Sequence, residues 1–139
     1  MPRKDQQHDN ARKALESDGW QITHDPMTVS LPDMDLFIDL GAERFIGASK
    51  GNREIAVEIK TFGAKPGISV FYGILGQVLV YRLALLKERI DREVWLAIPE
   101  AARISLFERY IIKVALEFFR INLIVFDPFT QKILQWEKH

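Results

Sequence analysis

Glu58 and Lys60 stand two apart in the run Ile55-Ala56-Val57-Glu58-Ile59-Lys60. Ile55, Val57 and Ile59 recur with the period of a strand whose one face meets an apolar core. The other face then carries a carboxylate and an ammonium, which a solvated surface would explain. The preceding chain adds acid. Leu36 to Ile46 also reads as extended, with Asp35, Asp39 and Glu43 at even spacing. Ser49-Lys50-Gly51-Asn52-Arg53 is a polar, glycine-containing link, so the two segments read as a long hairpin. Pairing them brings one of the three acids towards Glu58 and Lys60. Two carboxylates and an ammonium at one end of a hairpin can hold a divalent cation and polarise a phosphate. Alternation alone leaves Asp35, Asp39 and Glu43 all open, and a bulge would change which one faces the site.

The elements that must position these residues follow from periodicity. Residues about 6–18 predict a helix, with Ala11, Ala14 and Leu15 inward and Gly19 at its C-terminal end. His8 lies seven residues before Leu15, on the same side. Arg12 and Glu16 have the spacing of a surface ion pair. Residues 20–23 and 28–31 predict short strands on either side of a turn at His24-Asp25-Pro26. A break at Gly63-Ala64-Lys65-Pro66-Gly67 precedes a helix over about 69–88, with Leu75, Val78, Leu79, Arg82, Leu83 and Leu86 as its apolar stripe. Gln77 and Tyr81, four apart, share one flank of it. Glu93–Ile98 predicts a buried strand. Residues about 103–119 predict a further helix, with Leu106, Tyr110, Val114 and Phe118 in line. Asn122–Phe126 predicts a third core strand, and Lys132–Trp136 an edge strand after a turn at 128–131. The succession predicts an α/β domain over 1–139, a mixed central sheet with a long hairpin, flanked by helices.

The chain has 139 residues, 47% of them hydrophobic, with 19 basic and 19 acidic side chains. That is enough for one substantial core, and the composition is globular. Tight DNA binding draws on phosphate neutralisation, and a chain of zero net charge has no excess to offer, which favours a partner that supplies affinity. No cysteine is present, so disulfides and thiolate metal sites are out and the reducing cytoplasm is the expected location. No apolar run is expected to span a membrane, and the first residues lack a signal-peptide core. Three scattered histidines give no structural zinc spacing, and no glycine-rich nucleotide cradle or nucleophile elbow is present. Phe118, Phe119 and Phe126 lie in apolar runs and are expected in the core. The final strand and the 103–119 helix, which carries Phe107, Ile111 and Phe119, are the expected surfaces for a partner or for a homodimer.

An acid followed at a distance by Glu-x-Lys on the next strand resembles the PD-(D/E)xK nuclease superfamily. A broader resemblance runs through the segments 15–20 (Leu-Glu-Ser-Asp-Gly-Trp), 22–26, 35–43, 56–62 (Ala-Val-Glu-Ile-Lys-Thr-Phe), 75–85 and 123–128. In order and in wording they resemble the XisH family, the cyanobacterial fdxN element excision controlling factor proteins. The resemblance implies a restriction-endonuclease-like core and a role in DNA recombination beside a site-specific recombinase and a companion XisI-type protein. It implies a magnesium or manganese ion at Asp39, Glu58 and the Ile59 carbonyl, with Lys60 on the phosphate and Gln77 positioning water or phosphate. Asp39 is favoured because it lies centrally in the matching segment, with Asp35 and Glu43 as substitutes. His8 and Tyr81 are further candidates, His8 because the first helix of such nucleases often adds a ligand. Three functions are compatible with this: a magnesium-dependent endodeoxyribonuclease, a silent module that directs a recombinase, or the nuclease of a defence or toxin pair.

Overall fold

The protein is described here by a computed structural model covering residues 6–47 and 51–139. Its elements are α1 (Gln6–Ser17), β1 (Gln21–His24), β2 (Met27–Ser30), β3 (Asp35–Ile38), β4 (Leu40–Gly47), β5 (Gly51–Ile59), α2 (Ile68–Lys87), β6 (Glu93–Pro99), α3 (Glu100–Ile104), a 3-10 turn (Leu106–Glu108), α4 (Tyr110–Phe118), β7 (Asn122–Asp127) and β8 (Lys132–Glu137). Six strands form one mixed sheet in the order β1-β4-β5-β6-β7-β8, and β2 and β3 make a separate hairpin sheet. β5, β6 and β7 are parallel, and the other pairings are antiparallel.

The parallel strands are apolar on both faces because helices cover both. Ile55, Val57 and Ile59 join Ala11, Ala14 and Leu15 of α1 with Trp20, Trp95 and Phe126 in one core. Ala56 joins Phe71, Val78 and Tyr81 of α2 with Ala102, Ile112 and Leu116 of α3 and α4 in the other. The face of β5 that bears Glu58 is therefore covered by α2 rather than solvated, and Glu58 is only 4% exposed.

The extended segment 36–46 is not one strand. β3 pairs with β2, β4 pairs with β1 and β5, and Asp39 is a one-residue bend between them. Ile38 and Leu40, which would share a face of a continuous strand, enter opposite cores. The hairpin that remains joins β4 to β5, pairing Leu40 with Val57 and Glu43 with Glu54. Of the expected turn at 49–53, residues 49 and 50 lie outside the described residues.

Two helical expectations need correction. The buried side of α2 is Phe71, Ile74, Val78, Tyr81, Ala84 and Leu85, leaving Leu83 and Leu86 in solvent. Apolar residues surround this helix, so spacing alone could not choose its inward side. For the same reason α2 is, by length and composition alone, apolar enough to cross a bilayer, contrary to the expectation of no such run. The 103–119 helix is split. Arg109 is extended, at φ −65° and ψ 138°, between the 3-10 turn and α4. That break resets the phase, so Ile112 and Leu116 face inward while Tyr110, Val114 and Phe118 are exposed.

Candidate active site

β5 ends at Ile59, and the chain continues in register beside β6, with the Lys60 amide donating to the Ala97 carbonyl at 3.0 Å. Glu58 and Lys60 leave this end of β5 on the α2 side. Glu58 Oε2 lies 3.2 Å from Lys60 Nζ, whereas Glu58 Oε1 is buried without a partner. A buried carboxylate oxygen without a donor is costly. Burial first, and the nearby Asp39 carboxylate second, push the Glu58 carboxyl up to about 7 against the pull of Lys60.

Asp39 reaches the cluster because of the bend. Continuing the β4–β5 register places Asp39 across from Glu58. Its Oδ2 accepts the Ile59 amide at 2.8 Å. Asp35, exposed opposite Ser30, and Glu43, paired with Glu54 and accepting from Asn52 at 3.4 Å, lie elsewhere.

α2 closes the cluster from above. Gln77 Nε2 donates to the Tyr81 hydroxyl oxygen at 2.8 Å, and Tyr81 donates onward to the Phe37 carbonyl at 3.0 Å. Burial, and then the charge of Glu58, push the Tyr81 phenol up to about 12, opposed by the Gln77 hydrogen bond. Tyr81 therefore stays a neutral donor that fixes the last residues of β3 next to Asp39. His8 is not brought here. It sits on α1, across the sheet, with Nε2 2.7 Å from Asp25 Oδ1, and Arg12 holds the other oxygen of Asp25.

Among the described residues no group of three or more His, Asp or Glu side chains is arranged as a complete metal cage. Asp39 and Glu58 still fit a hard divalent cation, because magnesium keeps several waters and commonly takes only one or two carboxylates, with substrate phosphates completing its shell. The unpartnered Glu58 Oε1 and the mutual repulsion of the two acids are what a cation would relieve. A concavity of about 430 Å³ adjoins the same end of the sheet, lined by Thr61 and Phe62 just after Lys60, by Pro99 at the end of β6 and by Pro128 and Phe129 after β7. Motif reading passed over these residues; their signal is position, since ligands of parallel sheets gather beyond the strands' carboxyl ends. A larger groove of about 760 Å³ lies away from this chemistry, between the C-terminal ends of α2 and α4.

The profile of one family, described as XisH protein, matches residues 1–134. Two crystal structures are similar over 96% of this chain and 99% of theirs. One is an XisH family protein from Nostoc punctiforme PCC 73102, with 34% identity and a TM-score of 0.83. The other is a fdxN element excision controlling factor protein from Anabaena variabilis, with 36% identity and a TM-score of 0.85. A search of curated proteins finds no match.

Proposed function

The chain belongs to the XisH family, and from that premise we propose that it is a DNA recombination accessory factor bearing a divalent-cation-dependent endodeoxyribonuclease site. In this reading the sheet and its flanking helices are a restriction-endonuclease-like core of the PD-(D/E)xK kind. The observation that carries it is Glu58, a buried carboxylate with one orphaned oxygen, between Asp39 and Lys60. Structural acids in a core are ordinarily satisfied.

Asp39, Glu58 and the Ile59 carbonyl would hold magnesium or manganese. When bound, the ion supplies Lewis-acid polarisation of the phosphate and a more acidic water. Lys60, held by Glu58, places an ammonium where negative charge develops on the phosphate during hydrolysis. The Ile59 amide orients Asp39, and the Gln77–Tyr81–Phe37 chain holds the bend that aims it. Gln77 keeps its amide oxygen to accept from a water beside the phosphate. DNA is the substrate class, and cytoplasmic action beside a recombinase and an XisI-type companion belongs to the same reading.

A second reading rests on charge. With 19 basic and 19 acidic side chains, the chain has little to offer a phosphate backbone, which suits a non-cleaving module that directs a recombinase. Incubating supercoiled and branched DNA with the protein and magnesium or manganese separates the two. Cleavage by the wild type that falls about 100-fold or more in Lys60→Ala supports the nuclease. DNA or companion binding with no cleavage supports the second reading. Metal occupancy is read separately: millimolar magnesium raises the melting temperature of the wild type but not of Glu58→Gln, and no rise removes the metal site.

A further inference from the structure

α2 turns a second, unpartnered side to solvent. Tyr72 (65% exposed), Val80, Leu83 and Leu86 (72%) run along it, and Phe118 of α4 (77%) continues the patch across the groove that it shares with Leu86. Val70 of α2 and Tyr110, Ile111 and Val114 of α4 are exposed as well. A monomer usually shows only a few hundred Å² of contiguous apolar surface, and a stable interface takes on the order of 800 Å² from each partner. No charged residue interrupts the side between Ser69 and Leu86. Arg82, the one cation in that span, is turned to the carbonyls of Phe119 and Arg120.

We propose that this side of α2 docks against α2 of a second copy of the chain, antiparallel, about a two-fold axis that crosses the exposed side between Gly76 and Val80. The occupant follows from the order of residues along the side. Apart from Val70 and Tyr72, its exposed N-terminal half is small (Ser69, Gly73, Gly76), and its C-terminal half is bulky (Val80, Leu83, Leu86). An antiparallel two-fold pairing sets Gly73 against the partner's Leu83, Gly76 against the partner's Val80, Val70 against the partner's Leu86, and Ser69 against the partner's Lys87. Val80, Leu83 and Leu86 then each meet a small or an apolar residue, and the interface is self-complementary, as two-fold symmetry requires. The two glycines cost helix stability, roughly 1 kcal/mol each against alanine. Nothing in the chain itself demands them, since a Cβ at either meets no atom within 4 Å. Close approach of a second helix does.

The proposal stands apart from the nuclease reading, although Gln77 and Tyr81 leave the same helix, so docking would hold both clusters in fixed relation to one axis. Sedimentation velocity at tens of micromolar is the first test, with a monomer of 16.1 kDa as reference. The wild type should sediment at twice that mass. Leu83→Glu, at an exposed position that leaves the fold intact by circular dichroism, should weaken association about 100-fold or more, because a two-fold interface carries the change twice. Leu134→Glu, exposed on β8, should leave the dimer intact. The chain has no cysteine, so register is tested by oxidation. Gly73→Cys with Leu83→Cys should give a covalent dimer and neither change alone should, since the two positions lie about 15 Å apart along one helix. A monomeric wild type overturns the proposal, whether the face then proves to bind phosphatidylcholine vesicles or a different protein. A dimer broken by Leu134→Glu but not Leu83→Glu, or a covalent dimer from either single cysteine, overturns it as well.

Discussion

The two ends of β5 carry the same kinds of residue in opposite conditions. At the start of the strand, Glu54 meets Arg92 at 2.9 Å and Arg53 meets Glu93 at 3.1 Å. Arg92, with its side chain 8% exposed, also donates to Thr23 Oγ1 and to the carbonyls of Ala42 and Ile55. Arg53 lies over the Trp95 and Trp20 rings. Burial works to raise the Glu93 carboxyl, yet its donors Lys138 and Arg53 outweigh burial and leave it below the usual carboxylate range. At the far end Glu58 has one ammonium, a neighbouring acid and an unmet oxygen, and its carboxyl is displaced upward instead. Charge that serves architecture is saturated with partners. Charge left short of them beside a concavity is available to a ligand.

Breaking the saturated end should cost the most. Arg92→Ala removes the donor to Thr23 Oγ1, to two backbone carbonyls and to Glu54, and urea denaturation should show a loss of about 3–5 kcal/mol, since hydrogen bonds to a charged group contribute about 1.5–3 kcal/mol each. A loss below about 1 kcal/mol would mean that the network is ornamental and the contrast false. The other end should respond with the opposite sign. In the unfolded chain Glu58 ionises near 4.5, and in the fold near 7. Below pH 4.5 both states are protonated and nothing is lost. Between pH 4.5 and 7 only the unfolded chain releases the proton, so stability without metal falls as pH rises. Glu58→Gln removes that dependence and should stabilise the metal-free protein at pH 8 by on the order of 3 kcal/mol, at about 1.4 kcal/mol per unit. Thermal melts at pH 4.5 and pH 8 check it; equal destabilisation at both would show Glu58 to be a structural acid. The smallest effect sharpens the first end. A Cβ on Gly41 would lie 2.9 Å from Arg92 Nη1 and 3.0 Å from both His24 Nδ1 and Thr23 Oγ1. Gly41→Ala should therefore cost about 1–2 kcal/mol by overpacking a guanidinium with nowhere to go, measured by the same denaturation.

Glu-x-Lys at the end of a strand, and an acid across from it, were legible in residue types and alternation. What alternation could not tell was that the Glu58 face is roofed by α2, because this strand, covered by a helix on each face, shows the same period as a half-solvated one. The bend at Asp39 left no trace either. Ile38 and Leu40 are both apolar, and no glycine or proline announces that they enter different cores. The phase of α2 was hidden by its uniform apolarity. The break before α4 was hidden because Ser105 and Arg109 do not forbid helix; tertiary packing decides there. His8 and Arg12 could be placed on α1 from spacing, but their shared partner Asp25 is a long-range pairing that no local pattern specifies.

The one-residue passage between the two sheets has a consequence for how chain length can drift in this fold. Side chains along a strand alternate, so adding or removing one residue between Ile38 and Leu40 inverts everything on one side of the change. Either Ile38 leaves its core or Asp39 turns from the α2 side of the sheet to the α1 side. The link between β2 and β3 carries no such parity, because Pro32, Asp33 and Met34 are exposed at its tip. Length variation among relatives should therefore collect at 32–34 and stay out of 38–40, a frame kept by the geometry of a single joint.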